Sequence, residues 1–148
     1  MKKFNLANAP TRIYQIDENN MLIGTEGGKI EHWIVDESKC KKVYNAHPES
    51  DAGISAIIEL STTSELLRGK TPGNFKLIAT SSEGAKEFRI WKLQDNELMP
   101  YLKIETTFSD GIKFLLETQQ TQLAAANEKT IKFYDFIDKD QKDAKEKL

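Results

Sequence analysis

Three groups of residues combine chemistry-bearing side chains with suggestive spacing. Cys40, His32 and His47 supply the parts of a thiolate–imidazole pair, in which the ring takes the thiol proton and frees a nucleophile. Lys39 and Lys41 flank the sulfur, and nearby ammonium groups lower a thiol pKa. On an extended strand, however, neighbouring side chains point to opposite faces, so both lysines turn away and Cys40 reads as a structural cysteine. Gly24, Gly27, Gly28 and Lys29 suggest a phosphate cradle. The spacing of a phosphate-binding loop is missing and no helix follows to supply an N-terminal dipole, so a hairpin turn is expected. Asp138, Asp140 and Asp143 offer carboxylates for calcium, without the glycine at loop position six or the glutamate at twelve.

The histidines divide on strand logic. His47 precedes Pro48 and is expected to hydrogen-bond in a structural role, whereas His32 alternates away from Trp33 and is expected to be exposed. Two histidines without clustered carboxylates or thiolates make a poor metal site. No nucleophile elbow or dinucleotide fingerprint occurs. The expectation is therefore a protein that is not an enzyme, with no catalytic residue, no metal and no cofactor.

Composition agrees with a single soluble globular domain. The chain has 148 residues, 30% of them charged and 39% hydrophobic, enough to bury a core. A net charge of −2, from 21 basic and 23 acidic residues, gives no global field for nucleic acid or anionic lipid. The single cysteine excludes an internal disulfide and fits a reducing compartment. Met1-Lys2-Lys3-Phe4 is basic, but Asn5, Asn8, Pro10 and Arg12 interrupt any apolar stretch. No run approaches the roughly 20 apolar residues of a membrane helix. A soluble intracellular protein, cytoplasmic or nuclear, is expected, with no membrane and no nucleic acid among its partners.

The elements that would position these residues are short strands bounded by Gly, Asn, Asp and Ser. Strands are expected over 12–16, 21–25, 30–35 and 41–45; then 54–60, 76–81, 87–93 and 100–106; then 112–117, 122–126 and 130–136. An internal ruler runs through them. Ile13, Leu22 and Trp33 are nine and eleven residues apart, and so are Phe114, Leu123 and Tyr134. A middle copy, Ile57, Leu77 and Trp91, matches once insertions over 61–74 and near 82–86 are allowed. Trp33, Trp91, Phe88, Phe114, Phe133 and Tyr134 are expected to fill the core between sheets. Phe75 and Tyr101 are less clearly needed there. After Phe136 the sequence becomes Lys- and Asp-rich, a solvated tail.

On these residues the chain resembles the Trp-Asp (WD) repeat family of β-propellers. Ala46-His47 is similar to the Gly-His that opens a repeat, and Leu77-Ile78-Ala79-Thr80-Ser81 to its small-residue second strand. Phe88-Arg89-Ile90-Trp91 and Thr130-Ile131-Lys132-Phe133-Tyr134-Asp135 resemble the third strand with its closing Trp-Asp. Trp33 and Trp91 lack the acidic residue after them, and Tyr134-Asp135 keeps the acid but not the Trp. In the family a His, an Asp, a Ser or Thr and the Trp of one blade form a hydrogen-bonded chain. The resemblance implies such a chain only in the middle repeat, from His47, Thr80 and Trp91, with Glu83 as a loose substitute for the acid.

The resemblance implies an all-β fold: a partial WD-like propeller of about three four-stranded antiparallel blades, an incomplete ring. Residues 1–137 hold the blades (about 11–45, 46–106 and 107–137), and 138–148 form a flexible charged tail. Propellers typically close with about four to eight blades, so both flanks of a three-blade arc and its edge strands stay open. The expected function is a non-catalytic protein–protein interaction scaffold within a larger propeller or assembly, with protein partners supplying missing blades or edge strands. Leu66, Leu67, Arg68 and Lys70 in the long insertion are the candidate partner-binding loop. The alternatives are a small β-barrel holding an apolar ligand, and part of a propeller enzyme.

Overall fold

The structure is a computed structural model that describes residues 3–61, 75–119 and 121–136, together with the strand backbone of 145–147. The candidate loop residues Leu66, Leu67, Arg68 and Lys70, and the carboxylates Asp138, Asp140 and Asp143, lie outside the described residues.

Every described element is a strand. The first sheet runs β1 (Pro10–Asp17), β2 (Asn20–Thr25), β3 (Lys29–Ile34) and β4 (Lys39–Tyr44). The second runs β5 (Ile54–Leu60), β6 (Lys76–Ser82), β7 (Glu87–Gln94) and β8 (Glu97–Glu105). The third holds β9 (Phe114–Gln119), β10 (Gln122–Ala126), β11 (Ile131–Asp135) and the short β12 (Lys145–Lys147). All pairings are antiparallel between strands consecutive in sequence. Three separate sheets result, not one sheet closed into a barrel. β12 pairs with β11 from within the stretch read above as a tail. Its Lys-Glu-Lys sequence carries no strand signal, because an edge strand needs only a partner's backbone and no apolar face.

The sheets pack in sequence order. The first strands are neighbours, β1 beside β5 and β5 beside β9. Polar side chains stitch them together: Thr11 Oγ1 donates to the Ile54 carbonyl at 2.8 Å and Arg12 Nε to the Ser55 carbonyl at 3.0 Å. Farther along, Tyr14 donates to the Glu59 carboxylate, and the Ser61 amide donates to Glu117 at 2.9 Å. Burial beside the Glu59 charge pushes the Tyr14 hydroxyl pKa up.

Strand alternation gives each sheet two faces, and the middle sheet buries both. Toward the first sheet it presents Ile57, Ile78 and Trp91, which pack with Leu22, Ile30 and Tyr44. Toward the third it presents Leu77, Ala79, Phe88 and Ile90, which pack with Leu115, Leu123 and Tyr134. Gly24 lets the first pair of sheets close up, since a Cβ there would lie 2.7 Å from that of Ile54. Phe75 belongs to the second core, so it is needed there after all.

Trp91, Phe88 and Tyr134 fill the inter-sheet core, but three other aromatics do not. Phe114 and Phe133 lie exposed on the outer face of the third sheet. Trp33 points away from the second sheet and is buried by stacking on Phe4, with centroids 4.9 Å apart. The reason is strand parity. Trp33 pairs with Met21, whereas its neighbour His32 pairs with Leu22 on the inner face. His32 is accordingly buried, not exposed as alternation away from Trp33 suggested.

The ruler also changes meaning. Tyr134 pairs with Leu123 directly, but Trp33 pairs with Met21, one residue off the leucine eleven positions before it. Three residues separate the closing pair Thr25 and Lys29, and four separate Ala126 and Ile131. A one-residue difference in the turn moves a side chain to the other face. Leu22 and Leu77 thus face the following sheet, while Leu123 faces the preceding one.

Candidate functional site

Two features collect the sequence-derived site residues: a buried polar knot in the middle sheet, and the open faces at the two ends of the stack.

The knot begins at the turn between β2 and β3. Gly27 and Gly28 adopt φ of 85° and 70°, a left-handed backbone that costs glycine nothing. The Gly28 carbonyl accepts the His47 amide at 2.8 Å, and a Cβ at Gly28 would collide with the His47 carbonyl. The glycine-rich stretch is therefore a turn that receives the linker between sheets, and its Gly28 carbonyl faces a donor instead of its amides cradling an anion.

From the linker the His47 ring enters the second sheet. Its Nε2 lies 2.9 Å from Thr80 Oγ1, and Trp91 Nε1 donates to the same oxygen at 2.9 Å. Thr80 Oγ1 accepts the indole N–H, and its direction toward His47 Nε2, donor or acceptor, follows the ring tautomer. Nδ1 is buried and has no hydrogen-bond partner among the described residues. Glu83, the substitute acid, is exposed and its backbone N–H donates to the Gly53 carbonyl. Burial, reinforced by the Arg89 charge, holds the His47 pKa down to about 4, so the ring is neutral.

Hydroxyls extend the knot toward the third sheet. Ser55 donates to the Ile112 carbonyl at 2.6 Å, so Ser81 must supply the proton in its 2.8 Å bond to Ser55. Ser50 and Ser82 pair at 2.6 Å. The Ile112 amide returns to the Ser82 and Ala85 carbonyls in the turn between β6 and β7. Each linker therefore docks on the central turn of the sheet before it. Nothing in the sequence marks these serines apart from ordinary turn residues.

The thiolate–imidazole reading does not assemble. Cys40 pairs with Trp33, on the face opposite His32, and its Sγ donates to the Lys42 carbonyl at 3.7 Å. Burial, followed by the Glu31 charge, raises the Cys40 pKa, the reverse of an activated thiol. His32 Nε2 is engaged with Asn20 Oδ1 at 2.8 Å. Burial first, then Lys41, lowers its pKa. Among the described residues no group of three metal-ligating side chains occurs. No helix among them is long and apolar enough to cross a membrane.

Both end faces carry exposed apolar side chains, although on the first sheet Ile23 and Trp33 are buried and only Ile13 and Val43 are exposed. On the first sheet, Ile13, Ile23, Trp33 and Val43 share the face turned away from the second. Glu31 is buried among them and accepts the Trp33 Nε1–H at 2.8 Å. That pairing was legible as a Glu-x-Trp spacing within one strand, which puts both side chains on one face. On the third sheet, Phe114, Leu116, Ala124, Ala126, Ile131 and Phe133 form the outer face. Tyr134 is buried on the inner face, and Asp135 follows it at the end of β11. Six of the seven exposed large hydrophobic side chains among the described residues belong to these two faces; Met99 is the other. Compared with protein-family models and with curated proteins, the chain matches none.

Proposed function

We propose that the chain is a three-blade arc of a WD-like β-propeller and serves as a non-catalytic protein-interaction scaffold within a larger propeller or assembly. One observation carries this reading. Trp33, Trp91 and Tyr134 all lie on the face of their sheet turned toward the preceding position in the stack. The same face-to-face step therefore relates the first sheet to the second and the second to the third. Adjacent first strands and linkers docked on the previous turn repeat with it.

A stack built by one repeated step has an unused face at each end, and both of these carry exposed apolar side chains. Clustering of exposed apolar side chains on these faces supports an interaction role for them. The His47–Thr80–Trp91 knot then serves to lock one blade and its linker.

The test is recovery of the chain from cells under native conditions, with the mass of the particle measured. Recovery within an assembly larger than one copy is expected. In that assembly, hydrogen exchange at β1 and β9 to β11 should be slower than in the isolated chain. A monodisperse, stably folded single copy in solution scattering, with no larger assembly recovered from cells, overturns the proposal.

A further inference from the structure

Resting on that reading, we infer that the occupant of both open faces is a second copy of this chain, which closes a six-bladed ring by twofold head-to-tail docking. Two copies carry six four-stranded sheets between them, inside the span of about four to eight blades at which propellers close. A twofold arrangement seats the third sheet of each copy on the first sheet of the other, covering all four open faces at once.

Shape supports this pairing. Ala124 is flanked in register by Leu116 and Phe133, and Ala126 by Phe114 and Ile131. The third sheet thus presents a shallow trough along β10 between two apolar ridges. The first sheet presents Ile13 on β1 and Val43 on β4 as its exposed apolar side chains. Within the chain the same device already operates, where Gly24 on β2 receives Ile54 of the next sheet. Strand order supports it as well. First strands of successive sheets are neighbours, so β9 of one copy meets β1 of the other. Ile13 on β1 and Leu116 on β9, each 64% exposed, then face one another.

The test uses the full chain with two substitutions, Ile13→Lys and Leu116→Glu, each at an exposed position that leaves the internal cores intact. Sedimentation velocity over a range of concentrations should give a particle of two copies for the unaltered protein. Each variant alone buries an unpaired charge at both interfaces and should self-associate at least about 100-fold more weakly. An equimolar mixture should recover the dimer. One interface of the mixed pair is unaltered, and the other sets the lysine against the glutamate. Circular dichroism melts of the single variants, matched to the unaltered chain at a concentration where it is monomeric, confirm that folding is retained.

Absence of recovery in the mixture, growth beyond two copies, or dimers that survive either single substitution overturns head-to-tail closure. A chain that stays single alone but forms a defined complex with a different polypeptide overturns the second copy as occupant and leaves the propeller reading standing. A stable single copy under all conditions overturns both.

Discussion

The indole of Trp91 and the imidazole of His47 share one hydroxyl, that of Thr80, each at 2.9 Å. The Trp comes from β7 and the His from the linker between the first two sheets, so one oxygen ties a strand of the second sheet to the segment that delivers the chain to it. Thr80→Val keeps the shape but leaves the buried Nε1–H and Nε2 without partners. Loss of about 2–4 kcal/mol is expected by urea denaturation. Thr80→Ser, which keeps the hydroxyl, should cost about 1 kcal/mol for the lost methyl. Equal losses in the two variants would show that the hydroxyl is not the holding group.

The neutral His47 makes stability depend on pH. Its folded pKa of about 4 lies below the ordinary value of 6.5. The unfolded chain therefore binds this proton first as pH falls. Stability is fully present above pH 6.5, declines between 6.5 and 4, and levels off below, with about 3 kcal/mol at stake. His32, also lowered by burial, adds a slope of the same sign. Glu87 acts only as its own carboxylate begins to protonate. Burial works to raise its pKa, but hydrogen bonds from Arg89 and Lys103 outweigh this and lower it, so its contribution disappears at the acid end. Denaturation midpoints measured between pH 7.5 and 5 should fall for the unaltered chain and fall less for His47→Gln.

Gly27 and Gly28 separate two costs that usually come together. Both have positive φ, but a Cβ at Gly27 meets nothing within 4 Å, while one at Gly28 meets the His47 carbonyl. Gly27→Ala should cost about 1 kcal/mol, the backbone penalty alone. Gly28→Ala should cost about 2–4 kcal/mol, because the linker must also retreat. Equal costs measured by thermal melts would mean that the linker does not rest on this turn.

Phe4 covers Trp33 on the open face of the first sheet. Phe4→Ala should destabilise by about 1 kcal/mol. It should also open Trp33 to acrylamide while Trp91 stays protected within the inter-sheet core. Unchanged quenching would place Trp33 under some other cover.

Much of this architecture was written in local residue patterns. Period-two alternation with Gly, Asn and Asp punctuation located eleven strands, because hairpins between consecutive strands are decided locally. The triplet His47, Thr80 and Trp91 was reached through the resemblance, and the hydrogen bonds through Thr80 do join the three. Parity was not legible. Whether Trp33 or His32 faces the second sheet depends on whether a turn holds three residues or four, and spacing alone does not reveal it. Phe114 misled for a related reason: Leu115, one position on, occupies the inner face. β12 escaped notice because backbone pairing at an edge leaves no apolar signature. The covering of Trp33 by Phe4 joins residues far apart in sequence whose contact no periodicity encodes.

Pairing restricted to strands consecutive in the chain bears on how the protein is made. The first sheet has all four of its strands once Tyr44 has left the ribosome, before any residue of the second is needed. Its inner face, with Leu22 and Ile30, waits only for β5 and the strands that follow. Synthesis at about 5–20 residues per second leaves seconds for this step, against microseconds for a hairpin to form. The inner face of each sheet is thus covered by the segment that emerges next, whereas Ile13 and Val43 on the outer face of the first sheet gain no cover from the described strands that follow.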